Sequence, residues 1–203
     1  MKKSLAHIYL TQFKGADRAI KISIKNRKNP SHSKKMLSQM QSAYIVAVEK
    51  TKEKNNPELI KKAYEGLSVA YKKFIQNIDP SDYQQRASLA FIYKEIGEYR
   101  NAREQAVTTL KHSPESKDSV ANFLDSILLI DNNYFEHFFA GAFFYYYLGN
   151  NEKALEQATI AQKYAPWNAE DIEMKDHRGL HDYVHYNIYS FTEFLKRRVA
   201  EEK

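Results

Sequence analysis

Cysteine is absent from the 203 residues, so disulfide scaffolds, thiolate metal sites and cysteine nucleophiles are excluded together. A chain without thiols fits a reducing compartment, and cytoplasmic is the expected location. Glycine and proline are scarce as well, at 6 and 5 residues. Pro30, Pro57, Pro80, Pro114 and Pro166 fall between stretches whose apolar residues recur every three or four positions, so they read as punctuation between helices. Long apolar runs are also missing. The nearest, residues 138–148, is about half the ~20 residues that a membrane-spanning helix needs. The N-terminus starts with two lysines, but its apolar run is interrupted by His7, Thr11 and Gln12. It is therefore expected to be a helix of the mature fold rather than a secretory leader.

Recognisable catalytic loops are lacking too: there is no GxxxxGK[ST], GxGxxG or GxSxG pattern, and no carboxylate pair stands in an evident pocket. The chain is expected to be no enzyme, with no catalytic residues, no cofactor and no metal. His177, His181 and His185 follow one another at i, i+4 and i+8 beside Asp176 and Asp182, a spacing at which helical imidazoles share a divalent ion. The HExxH pairing is missing, however, and solvent-facing histidines are the ordinary explanation.

What is present in excess is charge of one sign in one half. Residues 1–78 carry 17 Lys or Arg against 5 Asp or Glu, whereas residues 79–203 carry 14 against 20. Such polarity suits an acidic partner, phosphate groups or the acidic half of another copy. Arg18, Lys21, Lys25 and Lys28 recur at helical spacing, with Lys34 and Lys35 near the next turn. This basic patch is a solvated face or, as a third partner class, a site for nucleic acid or an anionic membrane with salt-sensitive affinity.

Two segments share one internal spacing. Residues 83–116 contain Ala90, Tyr93, Gly97, Ala102, Ala106 and Pro114; residues 135–168 contain Ala142, Tyr145, Gly149, Ala154, Ala158 and Pro166. Aligned on their glycines, they place alanine, tyrosine, glycine, two alanines and proline at identical offsets. In this pattern the chain resembles the tetratricopeptide repeat family, a helix-turn-helix unit of about 34 residues. The resemblance implies an all-α fold of antiparallel helix hairpins, stacked as a right-handed solenoid over one domain, residues 1–203. Residues 1–80 are then degenerate basic hairpins, including helices over 32–54 and 57–78. An extra helix within 117–134 breaks strict two-helix alternation. A linker covers 167–179, and a capping helix covers 180–200, with an apolar stripe of Leu180, Val184, Ile188, Phe191, Leu195 and Val199.

The resemblance further implies a protein-interaction scaffold that holds a partner on its inner, concave surface. The residues at outward positions there are Gln84, Ser88, Phe91 and Lys94 in the first repeat, and Phe139, Phe143, Tyr146 and Tyr147 in the second. Few cations stand among them, so capture of a terminal carboxylate is not expected. Residues 134–147 are crowded with aromatics and offer no polar face; either neighbouring helices bury them or they form a groove for an apolar partner helix. A self-assembling subunit and a secretion-type chaperone are the alternative functions.

Overall fold

A computed structural model describes residue 49 and residues 57–77, 79, 81–178 and 182–203. The chain divides into two compact units, Met1–Pro80 and Ser81–Lys203, at one of the punctuating prolines. In the first unit helix α1 (Pro57–Asn77) buries Ala63, Tyr64, Leu67, Ala70, Tyr71 and Ile75. These recur at three- and four-residue steps, so they form one stripe, with Lys61, Lys62, Glu65 and Lys72 exposed opposite. The basic patch of Arg18, Lys21, Lys25, Lys28, Lys34 and Lys35, and all but residue 49 of the helix expected over 32–54, lie outside the described residues.

The second unit runs α2 (Tyr83–Glu95), α3 (Tyr99–Leu110), α4 (Lys117–Leu128), α5 (Tyr134–Tyr147), α6 (Asn151–Lys163), β1 (Glu173–His177), β2 (Tyr183–Asn187) and α7 (Ile188–Glu201). It is mostly helical, and no helix among the described residues is long and apolar enough to cross a membrane. The two segments of shared spacing are the hairpins α2–α3 and α5–α6. Each first helix ends on a glycine at positive φ, 81° for Gly97 and 75° for Gly149, which a side chain would resist. The closing hydrogen bonds match as well. The Glu98 amide donates to the Tyr93 carbonyl and the Asn150 amide to the Tyr145 carbonyl, both at 2.9 Å; the Gly97 and Gly149 amides reach Lys94 and Tyr146. This is the Schellman pattern of helix termination. Ala102 and Ala154 then sit at 0% exposure, where the absence of a longer side chain lets paired helices approach closely.

The extra helix α4 is present between the hairpins, and it changes their relation. Arg100 and Arg103, at the start of α3, pair with Glu136 at the start of α5. Lys111, just beyond the end of α3, lies over the ring of Tyr147 at the end of α5. The neighbouring helices α3 and α5 therefore run in the same direction, and the second hairpin is inverted relative to the first.

The C-terminal segment departs from expectation. Residues 173–177, assigned to a linker, form β1, and residues 183–187, assigned to the capping helix, form β2, paired antiparallel from Glu173↔Asn187 to His177↔Tyr183. Only from Ile188 is the chain helical, with the Asn187 side chain accepting from the Ser190 amide at 2.9 Å. The four-residue step from Val184 to Ile188 that reads as helix spans a strand–helix junction. Met174 and Asp176 on β1 and Tyr186 on β2 are buried, so one face of the hairpin packs inward. Phe191 of α7 stacks on Phe143 of α5 with ring centroids 4.1 Å apart. Around this pair gather Phe139, Tyr186, Ile188 and Leu195.

Candidate functional site

The expected inner surface divides in two. Phe139 and Phe143 are each 1% exposed, within the core covered by α7 and the strand pair. They are not open groove residues, which corrects their assignment to a partner site. A helix apolar on all sides must be covered on all sides, and α3, α6, α7 and the strands supply that cover. Tyr146 and Tyr147 are half-buried, and their hydroxyls turn toward Asp176.

Asp176 is 3% exposed, an ionisable group whose burial requires partners. Its Oδ1 receives the Tyr147 hydroxyl at 3.2 Å and Lys111 Nζ at 3.4 Å. Its Oδ2 receives the Tyr146 hydroxyl at 3.5 Å and lies 3.5 Å from Arg178 Nε. Burial first, and the Asp176 carboxylate second, raise the pKa of both tyrosines above the usual phenol value, so each hydroxyl keeps its proton and donates it. Both carboxylate oxygens are thus committed, which makes the cluster a brace joining β1 to α3 and α5.

Further buried charge surrounds α3. Arg103, 1% exposed, holds Asp131 at 2.8 Å and Glu136 at 3.1 Å. Arg86 of α2, 2% exposed, donates to Gln105 Oε1 at 3.1 Å; burial lowers its pKa, opposed by nearby Tyr147 and Glu104. Burial, followed by Glu98 and Glu104, pushes the Tyr93 phenol up to about 12.

The other expected positions lie on α2. Gln84 and Phe91 are exposed, and Ser88 is half-buried with its hydroxyl donating to the Gln84 carbonyl at 3.0 Å. Lys94 is not free: its Nζ donates to Ser126 Oγ of α4 at 2.7 Å and stands 5.5 Å from the Phe123 ring centroid. The inserted helix α4 therefore flanks the outward face of α2, with Phe91, 49% exposed, one turn before the tether.

The histidines do not share a helix. His177 is on β1, 3.7 Å from Glu104, and His185 is on β2, 2.9 Å from Glu173; His181 lies outside the described residues. The i, i+4 spacing therefore carries no helical geometry here, and among the described residues no three His, Asp or Glu side chains gather in metal-holding distance. Sequence reading missed Lys111, Arg103 and Arg86, and it met Asp176 only as a neighbour of the histidines. The partners of Lys111, Arg103 and Arg86 lie 19 to 65 residues away, and no local pattern marks such pairs. Comparisons with protein-family models, with curated proteins and with solved structures found no match.

Proposed function

We propose that this chain is a non-catalytic scaffold built on tetratricopeptide-like hairpins, which docks a protein partner against the outward face of α2. The observation that carries the reading is Phe91, a large apolar side chain 49% exposed on a helix. It shares its face with Gln84 and Ser88 and is flanked by the Lys94–Phe123 crossing to α4. An exposed aromatic beside adaptable polar groups is the composition of an interface anchor. The second repeat, which buries Phe139 and Phe143, serves as the support for that face.

The test is affinity capture of partners from native lysate with the full chain, repeated with Phe91→Asp and with Tyr189→Asp, an exposed aromatic on α7. The reading expects a defined protein to be captured by wild type and the Tyr189 variant and lost with Phe91→Asp at an unchanged melting temperature. Equal capture by all three removes α2 as the docking face.

A second reading has its own observation. The change of charge sign coincides with the boundary between units: residues 1–80 hold 17 Lys or Arg against 6 Asp or Glu, and residues 81–203 hold 14 against 19. Head-to-tail assembly, basic unit to acidic unit of the next copy, follows from that polarity. It predicts an oligomer that dissociates as salt is added, read by light scattering.

A further inference from the structure

Of the nine large apolar side chains exposed among the described residues of the second unit, five gather in one place. Leu129 is 86% exposed, Ile130 58%, Tyr134 46%, Tyr164 53% and Trp167 96%, and all five lie at one end of the α5–α6 hairpin. Because α5 and α6 are antiparallel, the start of one meets the end of the other. The rings of Tyr134 and Tyr164 stack at 5.5 Å, and Phe138 continues the stack on Tyr164 at 5.9 Å and 13°. Leu129 and Ile130 enter from the preceding turn, which is pinned where Arg103 Nη2 donates to the Asp131 carbonyl at 3.2 Å. Trp167 enters from the following turn, closed by the Ala169 amide on the Pro166 carbonyl at 3.0 Å. Hydrogen bonds to backbone carbonyls on both turns thus hold these apolar groups in water.

We infer that this end of the hairpin is the contact face of a two-fold dimer of the chain. Size is the first argument. At ~200 Å² for a fully exposed large side chain, the five present roughly 700 Å². That exceeds the ~300–600 Å² of the largest patch on an ordinary monomer and approaches the ~800 Å² that each partner contributes to a standard interface.

Self-complementarity is the second. Lys163 precedes Trp167 in the chain and Glu170 and Asp171 follow it, and all three are exposed. In a two-fold contact the same patch meets itself, so it brings both a lysine and two acids to each side of the seam, the opposite charges an isologous contact can pair. The interface centre is then apolar and its rim charged. This contact goes beyond the docking face on α2 and is independent of it.

Trp167 is the only tryptophan in the chain, so tryptophan emission, excited selectively over the 15 tyrosines, reports on this face. The full chain is taken from about 1 µM to about 100 µM, a span that brackets weak and moderate self-association. Emission and sedimentation mass are followed at low and high salt. The expected result is a blue shift that tracks a rise to twice the monomer mass and persists in high salt. Leu129→Ser combined with Trp167→Ser then weakens dimerisation at least about tenfold at an unchanged melting temperature, since both side chains already face water.

Emission that stays at the water-exposed wavelength throughout overturns the inference, as does a dimer that survives the double substitution. A mass that climbs past two or falls apart with salt also overturns it, in favour of charge-driven head-to-tail assembly. A monomer at every concentration leaves the patch to a different macromolecule and rejects the dimer.

Discussion

The α2–α3 and α5–α6 hairpins turn through the same hydrogen bonds around Gly97 and Gly149, yet they bury different chemistry. In the first, α3 is enclosed by α2, α4, α5 and β1, and Arg103, Glu104, Thr108 and Thr109 are carried into the interior with its apolar residues. Each such group needs a partner, and the ion pairs and the threonine-to-carbonyl bonds provide them. In the second, α6 lies chiefly against α5 and α7 and buries a narrow stripe, Asn151, Ala154, Ala158 and Ala161. The aromatic side chains of α5 fill the remaining volume. A shared turn signal therefore sets how two helices meet, while the number of neighbours decides whether the interior is ionic or aromatic.

That contrast can be tested directly. The largest effect is expected from Phe143→Ala, which removes the ring stacked on Phe191 at 4.1 Å; a loss of about 4 kcal/mol should appear in urea denaturation. Arg103→Ala should cost slightly less, about 3 kcal/mol, because it leaves Glu136, 8% exposed at the side chain, with Arg100 as its remaining cation. Should the arginine change prove neutral, the first hairpin does not depend on its ion pairs and the contrast with the second is lost.

Gly97→Ala and Gly149→Ala sharpen the other half of the comparison. Neither added methyl would touch anything within 4 Å, so the cost is backbone strain alone, about 1 kcal/mol in each. Equal losses in thermal melts would show that the two turns are energetically as well as geometrically equivalent.

The smallest effect concerns pH. Burial, helped by Arg103 and opposed by Asp125, lowers the pKa of His137 in the folded chain. Below about pH 6.5 an unfolded histidine takes up a proton that the folded one resists. Stability is therefore complete above that pH and falls as pH drops toward the depressed folded value. His137→Gln should flatten this part of the stability profile, measured as the urea midpoint against pH.

The hairpins were legible in the sequence because their signals are local: a glycine at the bend, alanines at helical steps and a proline past the end. The inserted helix was legible for the same reason. The strand pair was not, because Val184, Ile188, Phe191 and Leu195 keep helical spacing straight through the junction at Asn187. The alternating Tyr183, Val184, His185 and Tyr186, rich in β-branched and aromatic residues, was the available contrary signal. The site was less legible than the fold. The sequence left α5 as either covered or open, and the answer depended on β1, β2 and α7, whose positions no residue of α5 encodes. Of the eight positions nominated for a partner, only Gln84 and Phe91 are exposed; Ser88 bonds back to its own helix, and the other five face elements that fold back from elsewhere in the chain.

The single helix α4 carries a consequence of parity. An even number of helices between two hairpins would preserve their polarity and allow a third copy to be added in register, whereas one helix reverses it. Copying the α5–α6 hairpin directly after itself would keep its orientation, whereas a copy separated by one more helix would turn over again. A block running from α4 through α6 holds three helices, so tandem duplication of that block would present opposite ends in alternate copies.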